Sequence, residues 1–336
     1  MKVKSLLVTL LLAFVVASSV VVAQRTTIQL GMVLPANSVW DKSLKQMGAN
    51  WSTVTDGRVR LRVLAGANDE STLLRRLKLG RPQAAALGQP GLTQIDDAFS
   101  VLGIPFFFES YEEAFYVLEK LTPALTEVLA REGFVLLNWG HAGWAHFFTA
   151  DKTDSIDALK QHKIFTSAGD DRMVQWYKQH GFDPQPLALS DVLMGLNTGL
   201  INAYPVPPYV ALLMQWYSKT PYMLNLPLAP VVGATVVTTR VWDRISPADQ
   251  EAMLQVAREA QAQLMLDVPL QERDSIEQMK KRGLTVVELT SEAEAEFRLE
   301  AERLAASWRG TAVPDDIFDL ALRERNAYRD SASSAQ

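Results

Sequence analysis

The sequence predicts an α/β protein built from two units of similar size, and three observations carry that expectation. Its 336 residues are too many for one small core and suit two domains of about 150 residues each. Short apolar or alternating runs take turns with stretches of helical spacing, the pattern of strands and helices layered around a sheet. The last third then changes character, with a long helical run interrupted by one proline and two more helices after it. Hydrophobic residues at 48% and charged residues at 21% supply enough apolar surface for such cores and argue against disorder.

Residues 1–23 carry Lys2 and Lys4, then run uncharged from Leu6 to Val22 and close on Ala23 before Gln24, the pattern of a cleaved secretory leader. An uncleaved anchor is the alternative, since the run approaches the roughly 18 apolar residues a membrane span needs. Residues 27–33 (TIQLGMV) form a strand candidate that enters the loop 34–38, after which 40–54 has helical spacing. Residues 58–64 alternate Val59, Leu61 and Val63 with arginines, the period of a half-exposed strand. Residues 70–79 read as a helix, 83–87 as a short strand, and 98–102 lead into the apolar segment 104–108. The first unit is expected to end between Leu121 and Glu132. A second set follows, with strands at 135–139, 145–149 and 162–166 and helices at 171–180 and 190–198. Residues 231–238 read as a strand returning toward the first unit. From 248 to 282 one helix is expected, kinked at Pro269 because proline lacks an N–H and crowds the preceding turn. Helices at 291–308 and 314–329 complete the chain, and the tail 330–336 is expected to fray.

The opening strand with Pro35, the Leu102-Gly103-Ile104-Pro105-Phe106 segment, Trp139-Gly140 before a second strand, residues 159–166, residues 199–208, and Trp242 beside Ser246-Pro247 recur in a telling order and spacing. Together they resemble the DctP-type solute-binding proteins of tripartite ATP-independent periplasmic (TRAP) transporters, over roughly residues 29–282. The resemblance implies a periplasmic-binding-protein-like fold: two α/β lobes with a ligand cleft between them, joined by strands and braced by a long helix. It implies a periplasmic receptor that presents a small molecule to TRAP permease membrane subunits, as a monomer or homodimer. On this reading residues 24–125 plus 231–250 form lobe I, 126–230 lobe II, and 248–330 the bracing and C-terminal helices.

Two departures from the family pattern bear on the ligand. Members place an arginine in a K-[IM]-R-[TV] strand to grip a carboxylate, whereas this chain reads Lys163, Ile164, Phe165, Thr166. A phenyl ring supplies neither the charge nor the paired donors of a guanidinium. After Gly199-Leu200 the family shows V-D-G-x-E-N-P with a ligand-binding asparagine, and here Val206 stands in that place, before Pro207. A buried carboxylate without partners is costly, so the expected ligand is hydrophobic or amphipathic, lipid-like molecules included. The alternative is a small organic acid held by a relocated cation such as Arg172. A ligand-sensing adaptor for a membrane sensor is a reading of another class.

Aromatic residues gather on the expected cleft loops: Trp40, Phe107, Trp139, Trp144, Phe165, Tyr204 and Tyr209. Such side chains serve small-molecule pockets and cores equally well; Phe106 and Phe108 read as core. Gln89, in a turn after a short strand, is a candidate donor, His141 a hydrogen-bonding cleft residue, and Ser167 belongs to the same strand end as Phe165. His141 and His146, five residues apart in a segment read as turn-to-strand, are expected to diverge, so no metal is expected. The motifs G-x-S-x-G, G-x-G-x-x-G, P-loop and H-E-x-x-H are absent, and no enzyme activity or cofactor is expected. Zero cysteines exclude disulfides and thiolate chemistry. Loss of Lys2 and Lys4 with the leader would take the net charge from −5 to about −7, which disfavours nucleic acid as a partner.

Overall fold

The computed structural model describes residues 25–334; the leader assigned to residues 1–23 lies outside them. Strand β1 (Thr26–Met32) buries Ile28 and Leu30 completely. Helix α1 (Val39–Val54) is started by Ser38, whose hydroxyl accepts a hydrogen bond from Asp41 N, one of the otherwise unpaired donors of the first turn. Strand β2 (Val59–Leu64) pairs parallel with β1, and helix α2 (Glu70–Lys78) is capped in turn by Asp69, which accepts from Thr72 N at 2.6 Å. Strand β3 (Ala84–Gly88), the single turn α3 (Gln89–Thr93) and the 3₁₀ segment Asp97–Gly103 lead to helix α4 (Tyr111–Arg131). Strand β4 (Phe134–Trp144) then runs for 11 residues.

One difference from the sequence reading lies here. Residues 134–144 belong to the first layer, although the second lobe was expected to begin at 126, and His141 sits within a long strand and not in a turn. The apolar run from Phe134 finds its partner in the returning strand, about a hundred residues further on in the chain, so local pattern could not show which sheet it joins.

The second layer comprises β5 (His146–Thr149), α5 (Ile156–Lys160), β6 (Lys163–Ser167), α6 (Asp171–Gln179), β7 (Asp183–Leu187), α7 (Val192–Thr198), β8 (Ala203–Val206), α8 (Pro208–Leu213) and β9 (Tyr222–Leu224). Sequence reading missed β7 because Pro184 and Pro186 interrupt it. It is an edge strand, where a missing N–H can face away from the ladder. Strand β10 (Pro230–Thr238) returns to the first sheet between β3 and β4, antiparallel to both. Gly233 is required there, because a Cβ would lie 2.6 Å from the Leu87 carbonyl oxygen. Helices α9 (Thr239–Trp242) and α10 (Pro247–Lys280), strand β11 (Thr285–Val287) and helices α11 (Ser291–Trp308) and α12 (Asp315–Ser334) finish the chain.

The sheet orders are β2-β1-β3-β10-β4 and β11-β9-β5-β8-β6-β7. The chain passes between the sheets three times, and two of the passages run side by side: Ala145 N donates to Ala229 O and Leu228 N to Ala145 O, each at 2.9 Å; the third is the long helix before β11. Helix α10 braces the crossing. Its 34 residues span about 50 Å at 1.5 Å per residue and run unbroken through Pro269. Met253 packs in the core of β1 and α1, whereas Met279 packs in the core of the second sheet around Trp216. A further difference is at the end of the chain: α12 continues to Ser334 where fraying was expected from 330, and Arg329 pairs with Glu113 on α4.

Candidate functional site

A cavity of about 340 Å³ lies between the two sheets. Its floor is the middle of β4 and β10, and its walls are the ends of β1, β3, β6 and β8, where strand-end backbone and side chains converge from both layers. Of the candidates from sequence, Trp40, Gln89, Trp139, His141, Phe165, Ser167, Val206 and Pro207 line it. Phe165 is 5% exposed and meets Trp216 edge-on at 6.2 Å, so its ring is fixed from behind and forms part of the wall in front. The position expected to lack the arginine is therefore on the cavity surface.

Five candidates lie elsewhere. Phe107 packs against Phe108 and Phe318, with the Arg325 guanidinium 4.4 Å over its ring, because the C-terminal helix covers that face. Tyr204 is fully buried, stacked on Phe148 at 5.3 Å and hydrogen-bonded to Thr220 at 2.7 Å. Trp144 sits at the crossing between sheets, 5.6 Å from Tyr111. Tyr209 stands beside the cleft, 5.7 Å from Trp40, and its hydroxyl accepts from Val39 N, tying α8 to α1 across the two layers. Arg172 points away from the cavity to Asp97 and the Ala312 carbonyl. Together with Ser71 Oγ donating to Ala168 O at 3.4 Å, the Arg172–Asp97 pair forms a second link between the layers, separate from that of Tyr209. Gly169, at φ +91°, lets the loop approach there, since a Cβ would lie 2.7 Å from Ser71 Oγ.

No lysine or arginine among the described residues lines the cavity. Its one histidine, His141, is enclosed by Phe115 at 4.8 Å and Tyr111 at 5.1 Å, and burial pulls its pKa down to about 4, so it is neutral near pH 7. Burial likewise raises Asp170 and pushes Glu70 up to about 8, although Gly88 N donates to Glu70 Oε1 at 3.1 Å. Glu70 as a whole is half-buried, but its Oε2 is sealed from solvent and has no hydrogen-bond partner. The same is true of Asn138 Oδ1 and Thr166 Oγ1, while the ring nitrogens of His141 reach no partner at good hydrogen-bond geometry and only approach the Leu264 backbone, which opposes the effect of burial. Among the described residues no group of three or more His, Asp or Glu has metal-holding geometry; His146 turns to the Leu224 carbonyl instead. Sequence reading overlooked Glu70, Asn138 and Thr166. Asn138, a lone amide in an apolar strand beside Trp139, carried a usable signal; Glu70 was masked as an ordinary first-turn acid of a helix.

The Glu70 environment has a proton-linked consequence. A carboxyl at about 8 in the fold and 4.5 otherwise binds more protons folded than unfolded between those values, so its contribution is full below 4.5 and lost as pH rises through 8. Glu70→Gln is expected to flatten the fall in thermal midpoint between pH 5 and pH 8. A fall of equal size in both proteins would place the responsible group elsewhere.

A family model described as "Bacterial extracellular solute-binding protein, family 7" (DctP) matches residues 30–310. A solute-binding protein of Roseobacter denitrificans is 22% identical over 287 residues, 82% of this chain and 86% of that protein. The crystal structure of the sugar acid binding protein DctPAm from Advenella mimigardefordensis, in complex with galactonate, superposes with TM-score 0.84 at 17% identity, covering 90% of this chain and 99% of that one. A TRAP periplasmic solute binding protein from Haemophilus influenzae with bound L-gulonate gives TM-score 0.84 at 19% identity, covering 90% and 100%. At these identities the structural likeness is one of fold.

Proposed function

Because the chain belongs to the DctP family, family 7 of the bacterial extracellular solute-binding proteins, we propose that it is the receptor of a TRAP-type transporter whose cleft takes an uncharged, largely apolar small molecule. The observation that carries the ligand class is the absence, among the described residues, of any lysine or arginine from the cavity lining, with Phe165 on the wall. The structural neighbours hold galactonate and L-gulonate, and such acids bring a carboxylate that in a buried site calls for a cation. Here His141 is held neutral by burial and Arg172 is engaged with Asp97 outside the cavity, so neither supplies one. Trp40, Phe165, Val206 and Val210 offer apolar wall instead. At about 25 cal/mol per Å² of apolar area, a few hundred Å² of ligand supplies several kcal/mol toward closing the lobes.

In this reading an N-terminal leader exports the chain to the periplasm, the two lobes close on the ligand, and the closed form is delivered to membrane permease subunits. Mass spectrometry of the small molecules released on denaturing the purified protein, against a mock preparation, tests the ligand class. A stoichiometric uncharged apolar compound is the expected result. A stoichiometric sugar acid or other small carboxylate would overturn it and return the site to acid recognition.

A further inference from the structure

Buried polar atoms without partners are few in native folds, because each forfeits its bonds to water. Asn138, His141 and Thr166 are 4%, 2% and 5% exposed, and they share one cavity with Glu70 Oε2. The remaining unpartnered atoms among the described residues, on Asp41, His162, Trp176 and Thr238, do not line it. Four unmet side chains from three separate elements, α2, β4 and β6, therefore converge on one space.

Their chemistry is mixed. Asn138 Oδ1 only accepts, so its partner must carry O–H or N–H. Glu70, protonated near pH 7, offers a proton at Oε2 to an acceptor such as a carbonyl oxygen. Thr166 serves either role, and neutral His141 has one donor and one acceptor nitrogen. A carboxylate without hydroxyls is acceptor-only and leaves Asn138 Oδ1 unmet, whereas a hydroxy acid would meet it but bring a charge for which the described lining holds no lysine or arginine. An ammonium is donor-only and leaves the Glu70 proton unmet. A hydroxyl next to a carbonyl satisfies both at once.

Resting on the receptor reading above, we propose that Glu70, Asn138, His141 and Thr166 hold the polar end of the ligand, an uncharged group carrying both hydroxyl and carbonyl oxygens, while its apolar body lies along Trp40, Phe165 and Val206. The site then selects by a donor–acceptor pattern where an acid receptor selects by charge.

The test uses ligand-free protein at pH 7 and tryptophan fluorescence titration with four probes of one chain length: 1-monooctanoylglycerol, methyl octanoate, octanoate and octylammonium. The monoglyceride is expected to bind about tenfold or more tightly than methyl octanoate, which lacks hydroxyls, and more tightly than either ion. Thr166→Val and Asn138→Leu are each expected to weaken the monoglyceride about tenfold and leave methyl octanoate unchanged. Circular dichroism checks folding, and should Asn138→Leu fail to fold, the isosteric Thr166→Val decides. Equal affinity for monoglyceride and methyl octanoate, or equal losses for both in Thr166→Val, overturns the polar-end assignment while leaving the uncharged-ligand reading standing. Tightest binding of octanoate or octylammonium overturns both. A folded protein that does not bind the monoglyceride also overturns the assignment.

Discussion

Phe165→Arg is expected to weaken binding of an uncharged ligand by about a hundredfold or more and to lower stability at the same time. The new guanidinium would enter a cavity whose acidic lining residues are Glu70 and Asp170, both pushed toward their protonated forms by burial, and Asp69, whose carboxylate is already engaged by Thr72 as a helix cap. Leaving a cation partly desolvated and unpaired costs several kcal/mol, and the edge contact with Trp216 is lost as well. Phe165→Leu keeps the wall apolar and is expected to stay within about fivefold of the parent, the effect of a partial loss of packing. Fluorescence titration with 1-monooctanoylglycerol measures both variants. Unchanged affinity in Phe165→Arg would remove Phe165 from the ligand's contacts, and acquired affinity for galactonate would show that one charge is all the cleft lacks for acids.

Glu272→Ala should be the most damaging change at the crossing between the lobes. Glu272 on the bracing helix accepts from Tyr111 Oη at 2.5 Å and from Trp144 N at 3.2 Å, with His146 Nε2 at 3.9 Å. Burial raises its pKa, and the two donors act against that shift. Alanine leaves both donors buried without an acceptor, a loss of about 3 kcal/mol or more, which corresponds to a fall of about 5 °C in Tm for a chain of this size. Glu272→Gln retains an acceptor oxygen and should lose less than half as much. Because Trp144 adjoins Ala145, where the two connections run side by side, the alanine variant should also release ligand faster, which stopped-flow fluorescence reads. A Tm within 1 °C of the parent would mean that the crossing does not depend on this carboxylate.

Much of the architecture is legible in the residues themselves. The alternation of Val59, Leu61 and Val63 with arginines, the serine and aspartate caps, and the helical spacing from 248 to 282 are local signals, and local backbone chemistry answers to them. Partner choice is less legible. Strand β4 looked like the opening of a second unit, yet it pairs with β10, about a hundred residues further on in the chain. Edge strand β7 was hidden by its prolines.

The sequence by itself determined the two-layer α/β class, the long brace and the family, because each is written in residue type and order. Only the tertiary structure decided which side chains face the cleft. Tyr204 was covered by Phe148 and Trp216, Phe107 by the C-terminal helix, and Arg172 was taken by Asp97, 75 residues away. A strand turns successive side chains to opposite faces, and which face becomes cavity depends on what distant segments pack against the other. The same reason kept Glu70 and Thr166 from standing out: such a polar side chain becomes informative only when the fold has sealed it away from water and given it nothing to bond.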